Sequence, residues 1–232
     1  MPHPRKVVAV LPAYNLEESI AGIIERTRPF VDQVLVVADG SKDDTAGAAR
    51  AAGALVPEPE LKRGKGFAMI KGIDATRDLG ADIVIVMDSD GQHLPEEIPI
   101  MLAPFDEQGE GAVDMVVGSR MLGTLRTSTI NKFGNFGLKI ISFLVTWRWM
   151  TDTESGFRAF RADKLHSLKL HAVGYEIESE LLLRAMHAKF RIKEVPITVP
   201  FAVPGVTVWD GVKVGWYKVK TGLALKLGME SA

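Results

Sequence analysis

The sharpest change of pattern along the chain lies where Ile83-Val84-Ile85-Val86-Met87 runs into Asp88-Ser89-Asp90-Gly91-Gln92-His93. Unbroken apolar residues predict a strand buried on both faces of a parallel sheet, and the abrupt polarity marks where that strand leaves it. Further β-rich runs occur at Val7–Leu11, Val34–Val37 and Met115–Val117, and helical patterns at Glu17–Arg28, Thr45–Ala52, Ala68–Leu79 and Glu96–Phe105 separate most of them. This alternation predicts an α/β fold in which a mostly parallel sheet is covered by helices on both faces. Pro95 suits a helix first turn, and Gly53 and Gly80 suit helix ends.

Each run ends in polar groups. The first leads into Pro12-Ala13-Tyr14-Asn15, the second into Ala38-Asp39-Gly40-Ser41, the third into Asp88-Ser89-Asp90 and the fourth into Gly118-Ser119-Arg120. Turn chemistry explains any one of these, but not why all sit at carboxyl ends, where open α/β sheets bind ligands. Carboxylates two apart can hold one hard divalent cation, Gln92 offers a further oxygen, and a cation there would bridge a bound diphosphate. An EF-hand would need Gly and Glu where His93 and Pro99 stand. Tyr14 is suited to pack on a base, Glu17 and Asp39 to accept hydrogen bonds from base or ribose, and Ser41 to bond nearby backbone. Arg63 and Lys65, in a glycine-bearing loop before a helix, suit anionic oxygens. Lys65 is followed by Gly66 rather than Ser or Thr, which excludes a P-loop, and the first strand lacks a glycine fingerprint, which excludes a dinucleotide site.

With 232 residues, 47% of them apolar, the chain can build one sizeable core. A net charge of -1 gives no global attraction to nucleic acid. The absence of cysteine leaves oxygen and imidazole as metal ligands. The amino terminus lacks the apolar stretch of a signal peptide, and the best apolar segment, Ile140 to Trp147, is about half the length that spans a bilayer. A soluble or peripheral protein is expected.

Six motifs, taken in order, resemble the inverting glycosyltransferases of family 2, and within them the dolichyl-phosphate mannose synthase group. They are residues 10–18, Asp39-Gly40-Ser41 with the acidic turn after it, Gly64-Lys65-Gly66, Asp88 to His93, Gly118-Ser119-Arg120, and Asp152-Thr153-Glu154-Ser155-Gly156-Phe157-Arg158. The resemblance implies a GT-A (Rossmann-like) catalytic domain, expected over residues 1–205, and the residue pattern beyond it suggests an amphipathic helix over 206–232. It implies a nucleotide-diphosphate sugar donor lying on Pro12, Tyr14, Asn15, Glu17, Asp39, Gly40, Ser41, Lys65, Asp88 and Ser89, with Mg²⁺ or Mn²⁺ on Asp90 and Gln92. The catalytic set it implies is Asp88, Asp90, Arg120 and Asp152.

A hydroxyl acceptor would need a general base, for which Asp152, Glu154, Glu178 and Glu180 are available. A phosphate acceptor, largely ionised at neutral pH, would need cations, for which Arg120, Arg126, Lys132 and Arg158 are available. Two stretches suggest a membrane surface. Residues 132–150 mix Ile140, Phe143, Leu144, Trp147 and Trp149 with Lys139 and Arg148, and residues 212–228 place Lys213, Lys218, Lys220 and Lys226 beside Trp216, Leu223 and Leu227 with no acid. The same helix would serve in a homodimer. Residues 199–213 depart from the mannose synthase pattern, having no arginine, so UDP-glucose and UDP-N-acetylglucosamine stand beside GDP-mannose as donors. The expectation is a transferase on the cytosolic face of a membrane that passes a hexose to a polyprenyl (dolichyl) phosphate. The rivals are a soluble family 2 transferase with a hydroxyl acceptor and a non-catalytic nucleotide-binding module.

Overall fold

The computed structural model describes residues 5–57, 64–107, 109–125, 137–138, 140–144, 146–200 and 208–229. Six strands form one sheet in the order β2-β1-β3-β5-β4-β6. The strands are β1 (Val7–Ala13), β2 (Gln33–Ala38), β3 (Ile83–Val86), β4 (Met115–Leu125), β5 (Arg158–Arg161) and β6 (Ile192–Val199). Only β5 runs against the others, antiparallel to both β3 and β4. The helices are α1 (Ile20–Thr27), α2 (Thr45–Ala51), α3 (Lys65–Asp78), α4 (Ile98–Leu102), α6 (Ala162–His166), α7 (Ile177–His187) and α8 (Val208–Lys226). Between β4 and β5 lies α5, to which 137–138, 140–144 and 146 belong.

Side chains alternate across a strand, so each central strand feeds two cores. Ala9, Leu11, Val36, Ile83 and Ile85 pack on one face with Ile20 and Ile24 of α1 and with Met101 and Phe105. Val8, Val10, Leu35, Val84 and Val86 pack on the other with Met69 and Ile73 of α3 and Leu181 and Leu182 of α7. Each such fully buried aliphatic side chain contributes about 1.5–3 kcal/mol. The approach of α3 is close: a Cβ on Gly72 would lie 2.4 Å from a Val10 methyl. Gly53 and Gly80 follow α2 and α3 with φ of +85° and +63°, the left-handed conformation that ends a helix.

Several boundaries differ from expectation. Helix α1 begins at Ile20 rather than Glu17, because Asn15 takes φ +54° and the chain first turns back on the Leu16 carbonyl. The helix expected over 96–105 is broken into a 3₁₀ turn at Pro95–Glu97, α4, and a 3₁₀ turn at Ala103–Asp106. Pro99 and Pro104 each remove an N–H that a continuous helix would use. Strand β4 continues well past Val117, while β5 and β6 were not anticipated. Helix α8 packs on the body through buried Val214 and Lys218 and against α7.

Candidate active site

The carboxyl ends of β1, β2, β3 and β4 lie along one edge, and the loops from β1 and β2 are knitted together. Asn15 N–H donates to Ser41 Oγ (3.0 Å) and Lys42 N–H to Asn15 Oδ1 (2.8 Å). Glu17 N–H donates to Asp43 (3.1 Å), and Asp44 N–H to Glu17 Oε2 (3.1 Å). Asn15, Glu17 and Ser41 therefore shape the rim beside Tyr14, which is half-buried. Gly40 turns the β2 loop at φ +61°. Asp39 is buried and accepts from Gly64 N–H at 2.7 Å, which fixes the start of α3. Gly64 sits at φ +112°, where an added Cβ would meet the Val173 carbonyl at 2.4 Å.

That placement delivers Lys65, the first residue of α3, to the carboxyl end of β3. Its Nζ lies 2.7 Å from Asp88 and 2.6 Å from Glu178. Burial would lower the Lys65 pKa, but the two carboxylates together raise it well above the ordinary lysine value. Burial likewise opposes the charge on Asp88, and Lys65 holds it below the usual carboxylate range. Glu178 is pushed up by its burial, which outweighs Lys65. His93 lies 3.9 Å from Asp88 and 5.4 Å from the Phe157 ring, and burial lowers its pKa to about 4, leaving a neutral imidazole. Gly156 is required beside them, since its Cβ would fall 2.2 Å from an Asp88 oxygen. Ser89 is buried and donates its hydroxyl to the Pro12 carbonyl, pinning β3's end to β1's.

Asp90 is exposed, and its Oδ1 accepts from Gln92 N–H at 3.0 Å. Lost hydration and the charge of Asp88 raise its pKa. A carboxylate so placed gains from a divalent cation, and Gln92, two residues on, carries a neutral amide oxygen of the kind such an ion accepts. No cluster of three or more His, Asp or Glu able to hold an ion occurs among the described residues. The residues thus fit an ion completed by substrate oxygens and water, as Mg²⁺ prefers, rather than a protein cage.

Midway along β4, Arg120 grips Asp152 through Nε (2.6 Å), Nη2 (2.8 Å) and its backbone N–H (3.1 Å). Burial opposes the Asp152 charge, but Arg120 holds its pKa low. The loop behind is anchored by Glu194 of β6, which accepts from Thr151 N–H (2.9 Å) and Asp152 N–H (3.0 Å). The pattern gave no sign of Glu194, because its role depends on β6 lying next to β4.

Two sequence expectations need correction. Arg158 is 1% exposed and donates to the backbone carbonyls of Thr153, Ser155 and Glu178, so it braces the site from beneath and does not face an acceptor. Lys218 does not belong to a solvent-facing cationic stripe: it is 0% exposed and ion-paired with Glu154. Lys213, Lys220 and Lys226 are exposed as expected. Arg126 and Lys132 lie outside the described residues.

The edge-on crevice, an acidic strand end and a mostly parallel sheet carrying one reversed strand define an α/β glycosyltransferase of the GT-A type. The chain belongs to glycosyl transferase family 2, whose sequence model matches residues 8–168. It is 31% identical over 245 residues to the UDP-N-acetylglucosamine–dolichyl-phosphate N-acetylglucosaminyltransferase of Methanococcus voltae, covering 96% of each chain. The undecaprenyl-phosphate mannosyltransferase of Micrococcus luteus is 31% identical over 252 residues, covering 97% of this chain and all of its own. Glucosyl-3-phosphoglycerate synthase of Mycobacterium tuberculosis, solved with Mn²⁺ and UDP-glucose, superposes with a TM-score of 0.73 at 26% identity over 98% of this chain and 81% of that one.

Proposed function

We propose that this glycosyltransferase moves one hexose from a nucleotide-diphosphate sugar to a polyprenyl (dolichyl-type) phosphate, while lying on the cytosolic face of a membrane. The observation that carries the reading is that each acid suited to act as a base is engaged by a cation. Asp152 pairs with Arg120, Glu154 with Lys218, Glu178 with Lys65 and Glu180 with Arg184. A hydroxyl acceptor needs a base within reach, whereas a phosphate with a second pKa of about 6 arrives already ionised. Its oxygen attacks the anomeric carbon opposite the leaving diphosphate, inverting that centre. Arg120, partly exposed midway along β4, faces the phosphates, and Arg126 and Lys132 join it in this proposal.

Asp90 and Gln92 hold Mg²⁺ or Mn²⁺ in this reading, and such an ion supplies charge neutralisation for the departing diphosphate. Lys65 balances Asp88 and Glu178 so that the crevice is not left strongly negative before the donor enters. The lipid side is supported by exposed apolar residues on α8, Val212, Trp216 and Leu223, with Leu227 just after it, and by exposed Ile140, Leu144, Trp147 and Trp149. Lys213, Lys220, Lys226 and Arg148 border it, the composition attracted to an anionic leaflet. No helix among the described residues is long and apolar enough to cross a membrane. The relatives named above act, by their names, on dolichyl or undecaprenyl phosphate with different sugars. GDP-mannose, UDP-glucose and UDP-N-acetylglucosamine are all donors to try.

Purified protein incubated with each donor, Mg²⁺ or Mn²⁺, and a polyprenyl phosphate should yield a lipid-linked sugar. Absence of product from every donor defeats the reading. Transfer to phosphoglyceric acid instead, the acid captured in a solved neighbour, establishes the hydroxyl-acceptor rival.

A further inference from the structure

One ammonium joins three parts of the molecule. Lys218, in the middle of α8, donates to the Leu138 carbonyl (3.3 Å) and Ser142 Oγ (2.8 Å) of α5, to Thr153 Oγ1 (3.2 Å), and to Glu154. Glu154 is itself seated by Thr153 Oγ1 (2.8 Å) and by Ser179 Oγ of α7 (3.1 Å). Burial would push Glu154 up, but Lys218 holds it charged. The Glu154 N–H then donates to Asp152 at 3.3 Å, the carboxylate that grips Arg120. The two helices bearing the exposed apolar surface and the loop that aims Arg120 therefore meet at a single buried ion pair.

A buried lysine is a costly way to fasten an amphipathic helix, because an apolar side chain of similar volume packs as well or better. What an ionic partner adds is selectivity for one register.

We infer that Lys218, acting through Glu154, is a positioning residue that couples the seating of α5 and α8 on a membrane to the placement of Arg120 beside the acceptor phosphate, an inference that rests on the lipid-phosphate reading above. Membrane contact on the outer face of α8 fixes Lys218, and the ion pair carries that constraint to the 151–156 loop.

The test uses the full chain with vesicles of phosphatidylcholine and phosphatidylglycerol. Amide exchange at 118–122 and 151–156 should slow about threefold or more when wild-type protein binds the vesicles. Lys218→Met should still float with vesicles but lose that slowing, and its KM for polyprenyl phosphate should rise about tenfold with the donor KM unchanged. Glu154→Gln, which keeps the hydrogen-bonding shape, should behave alike and decides the matter if Lys218→Met does not fold. Equal slowing in wild type and variants, no slowing in vesicle-bound wild type, or parallel loss for both substrates overturns the coupling while leaving the function standing. Failure of wild-type protein to float removes the membrane reading and the coupling together.

Discussion

Asp90 follows β3 and Asp152 lies in the loop before β5, and their surroundings differ sharply. Asp90 is exposed and destabilised as an anion, so replacing it disturbs little of the fold while removing the acid best placed to hold a cation. Asp90→Ala should change stability by no more than about 0.5 kcal/mol and lower turnover on the order of 10²–10³-fold, as read by thermal melts and initial rates. Turnover intact in chelator-treated buffer would remove the metal from the proposal. Asp152 is buried and gripped by Arg120, so Asp152→Asn leaves a guanidinium without its counter-charge and should destabilise by about 3–5 kcal/mol at pH 7. Because its folded pKa is depressed, that stabilisation is complete above the unfolded value of about 3.9 and is lost as pH falls through the folded value. The difference between wild type and Asp152→Asn in denaturant unfolding should therefore begin to shrink below about pH 4 and close only below the depressed folded value. In kinetics, the acid limb should lie at about pH 6, set by the acceptor, and should persist in Asp152→Asn. Disappearance of the limb with the residue would instead make Asp152 the base.

At the scale of elements, α3 links the fold to the site: it lies hard against β1 at Gly72 and presents Lys65 at its amino end. Gly72→Ala places a methyl 2.4 Å from Val10 and 3.1 Å from Val37, both buried in the sheet. The helix must lift, at about 1–3 kcal/mol by analogy with overpacked cores. Denaturant titration should show that loss together with weaker donor binding as Lys65 leaves Asp88; full retention of both would mean the helix yields elsewhere. The strands that read clearly from the chain are those buried on both faces, where runs such as Ile83 to Met87 leave no other assignment. β5 and β6 were hidden for different reasons. β5 is four residues with an arginine at each end, and those side chains are held by the carbonyls of Glu178 and Val113, 20 and 48 positions away. β6 carries Pro196 and an alternation of exposed polar residues, which reads as loop until its position at the sheet edge is known. Lys218 failed for a related reason: hydropathy cannot say which lysine on a helix meets a carboxylate 64 positions earlier, a tertiary fact.

For the whole molecule, the lipid-phosphate proposal requires the acceptor's phosphate to reach the carboxyl edge of the sheet while its chain stays with the exposed apolar face. Helix α8 divides its residues accordingly. Val214, Lys218 and Thr221 turn inward, while Val212, Trp216 and Leu223 turn outward. Trp147 and Trp216, each 72% exposed, dominate the outer face, and Lys226 lies 6.0 Å from the Trp147 ring. An exposed tryptophan contributes nothing to the core, so Trp216→Ser should leave the melting temperature unchanged. Transferring its ring to an interface is worth about 2 kcal/mol, so the variant should partition into anionic vesicles roughly 30-fold more weakly. Raising salt should weaken wild-type binding further through the bordering lysines, each worth about 1 kcal/mol near such a surface. Vesicle sedimentation across a salt series measures both effects. Undiminished partition of Trp216→Ser would assign the exposed face of α8 to a second copy of the chain, which sedimentation equilibrium of the wild type would then reveal as a dimer.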